Sequence, residues 1–182
     1  YFSPEFKVIP QYIIMKEGEC MELNNRTTSF FIFILSGEIT ISFEQYTNRS
    51  VLENEMFFLP KNNCFKWKAV TQTVLIVTGY NATIFPCTSV RARILYKIKA
   101  GVKFDCRGVV MKDEVKVVVN QMKHYLESGI NCHHMYILKH KELYLMFKHF
   151  YTYEEIIQIF YLILGSNPLF NERVLDNYLK VK

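Results

Sequence analysis

The first 80 residues alternate short apolar stretches with turn-forming residues. The apolar stretches are rich in β-branched and aromatic residues and cover residues 8–15, 30–35, 39–43, 56–59, 64–69 and 74–78. Ser36-Gly37-Glu38 separates two of them, and Pro60 with Asn62-Asn63 separates two others. Because these residue types favour strands and tight turns respectively, the pattern predicts a series of short antiparallel strands. Strands this short and this regularly spaced favour a closed barrel or a sandwich.

Beyond residue 110 the spacing of apolar positions becomes that of helices. One helical face carries Val115, Val118, Val119, Met122 and Leu126, and we expect this helix to end near Gly129. A second predicted helix, over residues 133–150, is apolar around nearly its whole circumference. We therefore expect that helix to be buried on two sides.

Capping residues mark two more helix starts. Thr152 and Glu155 have the spacing of a capping box, and the apolar run after them extends to Gly165. Asn167 before Pro168 is typical of the start of a last helix. Residues 83–103 form a connector in which residues 94–98 could add one more strand. The fold class predicted is α+β, with an antiparallel barrel in residues 1–105 and helices in residues 106–182.

Length and composition describe a globular chain. It has 182 residues, of which 50% are hydrophobic and 21% charged, enough for one compact domain or a small domain with an appendage. The five cysteines are scattered, so neither a disulfide framework nor a thiolate metal site is indicated. Because we find no apolar run long enough to cross a membrane and no leader peptide, we expect a cytoplasmic protein without a membrane partner. Residues 1–90 carry a net charge of −1 and residues 91–182 of +6, a basic excess too modest to indicate direct DNA binding.

The strand region resembles the cupin family. The first cupin motif is glycine, five residues, His-x-His, three residues, Glu, six residues and glycine, and its positions are occupied here by Gly18, Asn24, Arg26, Phe30 and Gly37. The second motif aligns on Pro60 and places Asn54 and Asn62 at its glycines, Phe65 at its histidine and Ala69 at its asparagine. The resemblance implies a cupin-like β-barrel over roughly residues 7–80.

The residues at the motif's ligand positions exclude the usual metal chemistry. A divalent ion needs several nitrogen or oxygen donors, whereas these positions hold Asn24, Arg26, Phe30 and Phe65. A guanidinium has no free lone pair and a phenyl ring has no donor atom. The first histidine of the chain is His124. We therefore expect no metal, no cofactor and no catalytic residues, and hence not an enzyme.

A barrel without metal ligands can still hold a small molecule. Arg26 could pair with a carboxylate or sugar acid, and Asn24, Phe30, Phe65 and Trp67 are the other candidate ligand-binding residues. Two alternatives stay open, because Arg26 could simply be exposed in a loop and Trp67 could belong to the core.

The remaining polar patterns carry little chemistry. His133, His134 and His140 lack the four-residue spacing of helical zinc ligands, so we expect them at the surface or in an interface. No G-x-S-x-G, H-E-x-x-H or phosphate-binding glycine loop occurs. Hydrolase and nucleotide-binding functions therefore lose their usual support.

The order of barrel and helices resembles the N-terminal half of AraC-type transcription regulators, and residues 150–182 resemble the connector that leads to their helix-turn-helix units. The resemblance implies that the barrel binds a small effector, a sugar or a carboxylate, and that the helices form a homodimer. The second helix has more apolar residues than one neighbouring element would cover, and we therefore expect Met135, Leu138 and Leu145 in the dimer interface. DNA would be contacted only by a domain beyond Lys182, absent from this chain. The alternatives are a stand-alone cupin that binds a sugar or carboxylate, and a cupin enzyme with an unconventional site.

Overall fold

In the part of the chain that the structure describes, nine strands precede three helices. The computed structural model describes residues 9–25, 28–43, 46–61, 63–80 and 107–165. The strands are β1 (Gln11–Met15), β2 (Cys20–Asn25), β3 (Ser29–Ser36), β4 (Glu38–Phe43), β5 (Tyr46–Leu52), β6 (Glu55–Leu59), β7 (Asn63–Ala69), β8 (Thr73–Tyr80) and β9 (Val109–Val110). The helices are α1 (Asp113–Glu127), α2 (His133–Phe150) and α3 (Tyr153–Gly165).

The strands form two antiparallel sheets with a nested connectivity. One sheet has the order β1-β8-β3-β6-β9 and the other the order β2-β7-β4-β5. The first eight strands therefore pair from the outermost in sequence, β1 with β8, to the innermost, β4 with β5, which is the arrangement of an eight-stranded jelly roll. The structure confirms the predicted α+β fold class, with antiparallel strands in a barrel followed by helices.

Strand β3 is buried on both faces. Phe31 and Phe33 pack against the helices, whereas Ile32 and Ile34 point into the space between the two sheets. Successive side chains of a strand point to opposite faces, so a strand covered on both sides has no place for polar residues. This double burial explains the uninterrupted apolar run of residues 30–35. It also makes the first sheet the layer that separates the barrel interior from the helices.

Three strands escaped the prediction from sequence, namely β2, β5 and the two-residue β9. The strands β2 and β5 form the two edges of the four-stranded sheet. In β5, residues 47–50 are all exposed, and in β2 the side chain of Glu22 is exposed. Only Met21 and Leu23 of β2, and Tyr46 and Val51 of β5, are seen to pack against the core, so each strand offers few apolar positions to a pattern search.

Helix α1 packs one apolar face on the core and ends where predicted. Its buried residues are Val115, Val118, Val119 and Met122. Gly129 follows the helix with φ 74°. The Ile130 N–H donates to the Tyr125 carbonyl at 2.9 Å and the Gly129 N–H donates to the Leu126 carbonyl at 3.0 Å. This pair of hydrogen bonds is a Schellman motif, which confirms the predicted glycine stop.

Helix α2 is covered on one side. Its buried residues are Tyr136, His140, Leu143 and Phe147, which recur at helical spacing. Leu138 and Leu145 are 64% and 56% exposed, and at 100° per residue they lie opposite that face. Within a single chain, the predicted burial on two sides is therefore wrong for the side that carries these leucines.

Helix α3 begins with the predicted capping box. The Thr152 N–H donates to Glu155 Oε2 at 2.8 Å, and the Glu155 N–H donates to Thr152 Oγ1 at 3.3 Å. Lys112 Nζ lies 2.9 Å from Glu155 Oε1, so the same carboxylate also joins α3 to the residue that precedes α1.

Several predictions fall outside the described residues. These are the strand at residues 94–98, the last helix from Pro168, and the boundary between residues 105 and 106. The helices that the structure describes include none with the length and apolar character needed to cross a membrane.

Candidate functional site

The jelly roll brings several of the predicted ligand-binding residues to one end of the barrel. Strands β2, β4 and β6 finish at this end, and β3, β5 and β7 start there. Phe30 lies opposite Leu59 of β6 and Gly79 of β8, while Phe65 lies opposite Leu23 of β2. Because all three registers place these residues next to the same strand ends, Phe30 and Phe65 share one end of the interior.

Aromatic rings fill this end of the barrel. The ring centroids of Phe43 and Phe65 are 4.8 Å apart, and those of Phe43 and Tyr46 are 5.1 Å apart. Phe43 and Phe65 are buried, whereas Phe30, Tyr46 and Leu23 are half-buried and reach the surface. We call these five residues the aromatic end. Two of its five side chains are thus buried and three are half-buried.

Trp67 lies two residues further along β7 and deeper in the same interior cluster. Its side chain is 3% exposed, so the structure places it in the core. The indole N–H of Trp67 is buried and has no hydrogen-bond partner among the described residues. A buried donor without an acceptor costs about 1 to 3 kcal/mol. Such a group is rare in folded proteins.

The other two predicted ligand-binding residues are only partly placed. Asn24 lies opposite Cys64 in the β2–β7 pair, so its backbone belongs to the same end of the barrel. The Asn24 side chain and the whole of Arg26 lie outside the described residues. Their contact with a ligand stays a prediction.

The two motif glycines occupy left-handed turns away from the aromatic end. Gly18 has φ 78° and Gly37 has φ 85°. Gly37 links β3 to β4, and Gly18 precedes β2, where its N–H donates to the Ala69 carbonyl at 2.9 Å. Glycine adopts this backbone conformation without a steric cost. The spacing of the first motif therefore located two real turns.

The described cysteines and carboxylates form no cluster that could hold a metal ion. No group of three or more His, Cys, Asp or Glu side chains in the described ranges could hold a metal ion. The thiol of Cys64 donates to Glu22 Oε1 at 3.1 Å, and this hydrogen bond raises the pKa of the thiol. A thiol kept in its protonated form is a poor nucleophile.

His140 departs from the sequence prediction. It is 9% exposed and lies between α2 and β8, where its Nε2 is 2.7 Å from Thr78 Oγ1. Burial, with a smaller contribution from His133, lowers the pKa of His140 to about 4. The expectation of a surface imidazole is therefore wrong for His140. Its helical spacing from Tyr136, Leu143 and Phe147 was the signal that could have placed it on the buried face.

No family model matches the chain, and no curated protein matches it. Solved structures similar to it include a cupin superfamily protein from Desulfitobacterium hafniense, at 16% identity and TM-score 0.36 over 40% of this chain and 66% of that one. The cupin domain of Schizosaccharomyces pombe Cnp3 has 18% identity and TM-score 0.39 over 46% and 58% of the two chains. Iron(II) HppE in complex with substrate has 14% identity and TM-score 0.36 over 39% and 44%. The chain therefore spans less than two thirds of each of these structures, which are similar to it in fold.

Proposed function

We propose that this chain is the effector-sensing and dimerising part of an AraC-type transcription regulator. In this proposal the barrel binds a sugar or a small carboxylate, and the outward side of α2 binds a second copy of the chain. The observation that carries the proposal is the placement of a helix pair on the outer face of a jelly roll, with the second helix apolar on two opposite sides. One side covers the sheet, and the other carries the exposed Leu138 and Leu145.

The proposed dimer surface consists of Met135, Leu138 and Leu145. The two leucines are seven residues apart, the repeat at which apolar residues of paired helices meet. Met135 is half-buried on the neighbouring part of the helix. Large exposed apolar side chains on one helical face favour contact with another protein surface. Pairing of two copies would remove both leucines from water.

The proposed effector site is the aromatic end together with Trp67. Ring faces such as that of Tyr46 stack on sugars or other flat apolar groups. The unpartnered N–H of Trp67 would donate to an oxygen of the effector, which favours ligands rich in acceptors. Arg26 follows β2 by one residue and would supply the charge for a carboxylate.

One sheet separates the proposed site from the helices, so an effector has a short route to the dimer surface. Phe30 packs on the barrel interior, and its neighbour Phe31 points to the opposite face. The ring of Phe31 lies 5.6 Å from that of Phe147 in α2. An effector that shifts β3 would therefore move the surface on which α2 packs. A coupling of about 1 to 3 kcal/mol between the two sites is typical of allosteric proteins.

Replacement of both exposed leucines tests the dimer surface. We expect the double variant L138K/L145K to dimerise at least about tenfold more weakly than the wild type, because two ammonium groups would have to be desolvated in the interface. Sedimentation equilibrium measures the dissociation constant. V117K is the matched control, since Val117 is 56% exposed on α1 outside the proposed surface. A wild type that stays monomeric, or a double variant that dimerises as tightly as V117K, would contradict the dimer proposal.

A thermal-shift screen of pentoses, hexoses and small carboxylates tests the effector site. A compound at a hundred times its dissociation constant adds about 2.7 kcal/mol to the free energy of unfolding. The variant W67F removes the unpartnered donor but keeps an aromatic ring, so we expect it to fold and to respond less to the best compound. Equal stabilisation of W67F and wild type, or no stabilising compound at all, would count against this site.

A further inference from the structure

A cleft on the helix side of the first sheet contains an incompletely hydrogen-bonded histidine. The cleft lies between β8, α2 and α3, and His140 forms part of its wall. We propose that this cleft is a second small-molecule site, separate from the aromatic end, for an uncharged aromatic molecule that carries one hydroxyl group. The two sites lie on opposite faces of the same sheet, since Phe31 lines the cleft and Phe30 packs on the barrel interior.

The hydrogen bonding of His140 defines the polar group of the ligand. Its Nε2 shares a hydrogen bond with Thr78 Oγ1 at 2.7 Å, while its buried Nδ1 has no partner among the described residues. If Nε2 accepts from the threonine, Nδ1 carries the proton and needs an acceptor. If Nε2 donates, Nδ1 needs a donor. A hydroxyl group satisfies either tautomer, whereas a carbonyl group satisfies only one.

The walls of the cleft define the rest of the ligand. The rings of Phe31, Tyr80, Phe147 and Phe160 surround it, with centroid distances of 5.6 Å between Phe31 and Phe147 and 6.2 Å between Tyr80 and Phe160. Because these rings already pack against one another in tilted contacts, a ligand ring would replace one of these contacts with a similar one.

The charge of the cleft excludes ions. None of the described residues that line it has a carboxylate, an ammonium or a guanidinium group. Burial keeps His140 uncharged at neutral pH. A carboxylate would therefore lose its hydration without gaining a counter-ion.

The size of the cleft requires a small ligand and a movable wall. The cleft spans about 350 Å³ including its open mouth, but its walls lie close together. In this form it can hold about one water molecule. A ring can enter only if a lining side chain turns outward. Tyr144 is the one lining residue of α2 that is not fully buried, so it borders the entrance.

Phenol, benzene and benzoate titrated into the full chain test the proposal by heteronuclear NMR. We expect saturable shifts at His140, Leu143 and Phe147 with phenol. Binding of benzene should be about two- to tenfold weaker, the worth of one neutral hydrogen bond, and benzoate should not bind. In H140L the preference for phenol over benzene should disappear.

Each other outcome overturns the second site. The first is that phenol does not bind saturably, which would leave water as the only occupant. The second is that phenol and benzene bind equally well. The third is that phenol shifts the signals of Phe65 and Trp67 and not those of the residues that line the cleft. If H140L does not fold, the comparison of the three probes on the wild type decides alone. Persistence of the phenol preference in a folded H140L would also overturn the proposal.

Discussion

Replacing Gly37 by alanine is expected to destabilise the fold by about 3 kcal/mol or more, whereas the same replacement at Gly18 should cost about 1 kcal/mol. Both glycines have positive φ, so both variants place an alanine in a strained backbone conformation. Only Gly37 is also enclosed. A methyl group there would lie 2.4 Å from the Gln72 carbonyl oxygen and 2.6 Å from Thr73 Oγ1, while nothing lies within 4 Å of the position at Gly18.

Urea unfolding of G37A, G18A and the wild type measures how much each substitution lowers the free energy of unfolding. The added methyl group at Gly37 would meet backbone atoms and the buried side chain of Thr73. Because the Thr73 hydroxyl donates to the Glu38 carbonyl, Thr73 cannot move aside without opening the β3–β4 turn. Equal costs for the two variants would show that close packing at this turn does not hold the barrel together. A G37A protein that is insoluble while G18A is folded would agree with the expectation.

The second large effect is a loss of stability in mild acid caused by His140. In the unfolded chain its imidazole titrates near the ordinary value of 6.5, whereas in the folded chain burial lowers its pKa to about 4. Between these values the unfolded chain binds a proton that the folded chain does not, so the free energy of unfolding falls as the pH falls from about 6.5 to 4. This difference between the two pKa values lowers the free energy of unfolding by about 3 kcal/mol at the acid end of the range.

The variant H140Q is the control for this pH dependence. It cannot titrate, but its amide can still hydrogen-bond Thr78. We expect the stability of the wild type to fall more steeply than that of H140Q below pH 6.5, and the two slopes to agree above it. Parallel curves through the acid range would mean that His140 is accessible to protons in the folded chain.

The parts of the fold that bury apolar surface were predictable from the sequence. The runs that became β3, β6 and β8 were found because their side chains face a core, and α1 was found because its apolar residues recur at helical spacing. The edge strands β2 and β5 were missed because few of their described side chains pack against the core. The order in which the strands pair is a long-range property that no local pattern records.

The candidate site was predictable only in outline. Motif spacing placed Phe30 and Phe65 in one interior and located the turns at Gly18 and Gly37. It did not reveal that the Trp67 N–H lacks an acceptor, because hydrogen bonding depends on neighbours from other strands. The burial of His140 was missed for a related reason. Its role follows from contact with Thr78, which is 62 positions away in the sequence.

The most direct test of the account measures dimerisation and effector response together. The whole chain is fused to a DNA-binding domain that occupies its operator only as a dimer, and repression of a reporter is measured with and without the best compound of the thermal-shift screen. The account predicts that the wild-type fusion represses, that the compound changes the repression several-fold, and that the L138K/L145K fusion does not repress. Repression that is independent of the two leucines, or unchanged by a compound that binds the barrel, would contradict it.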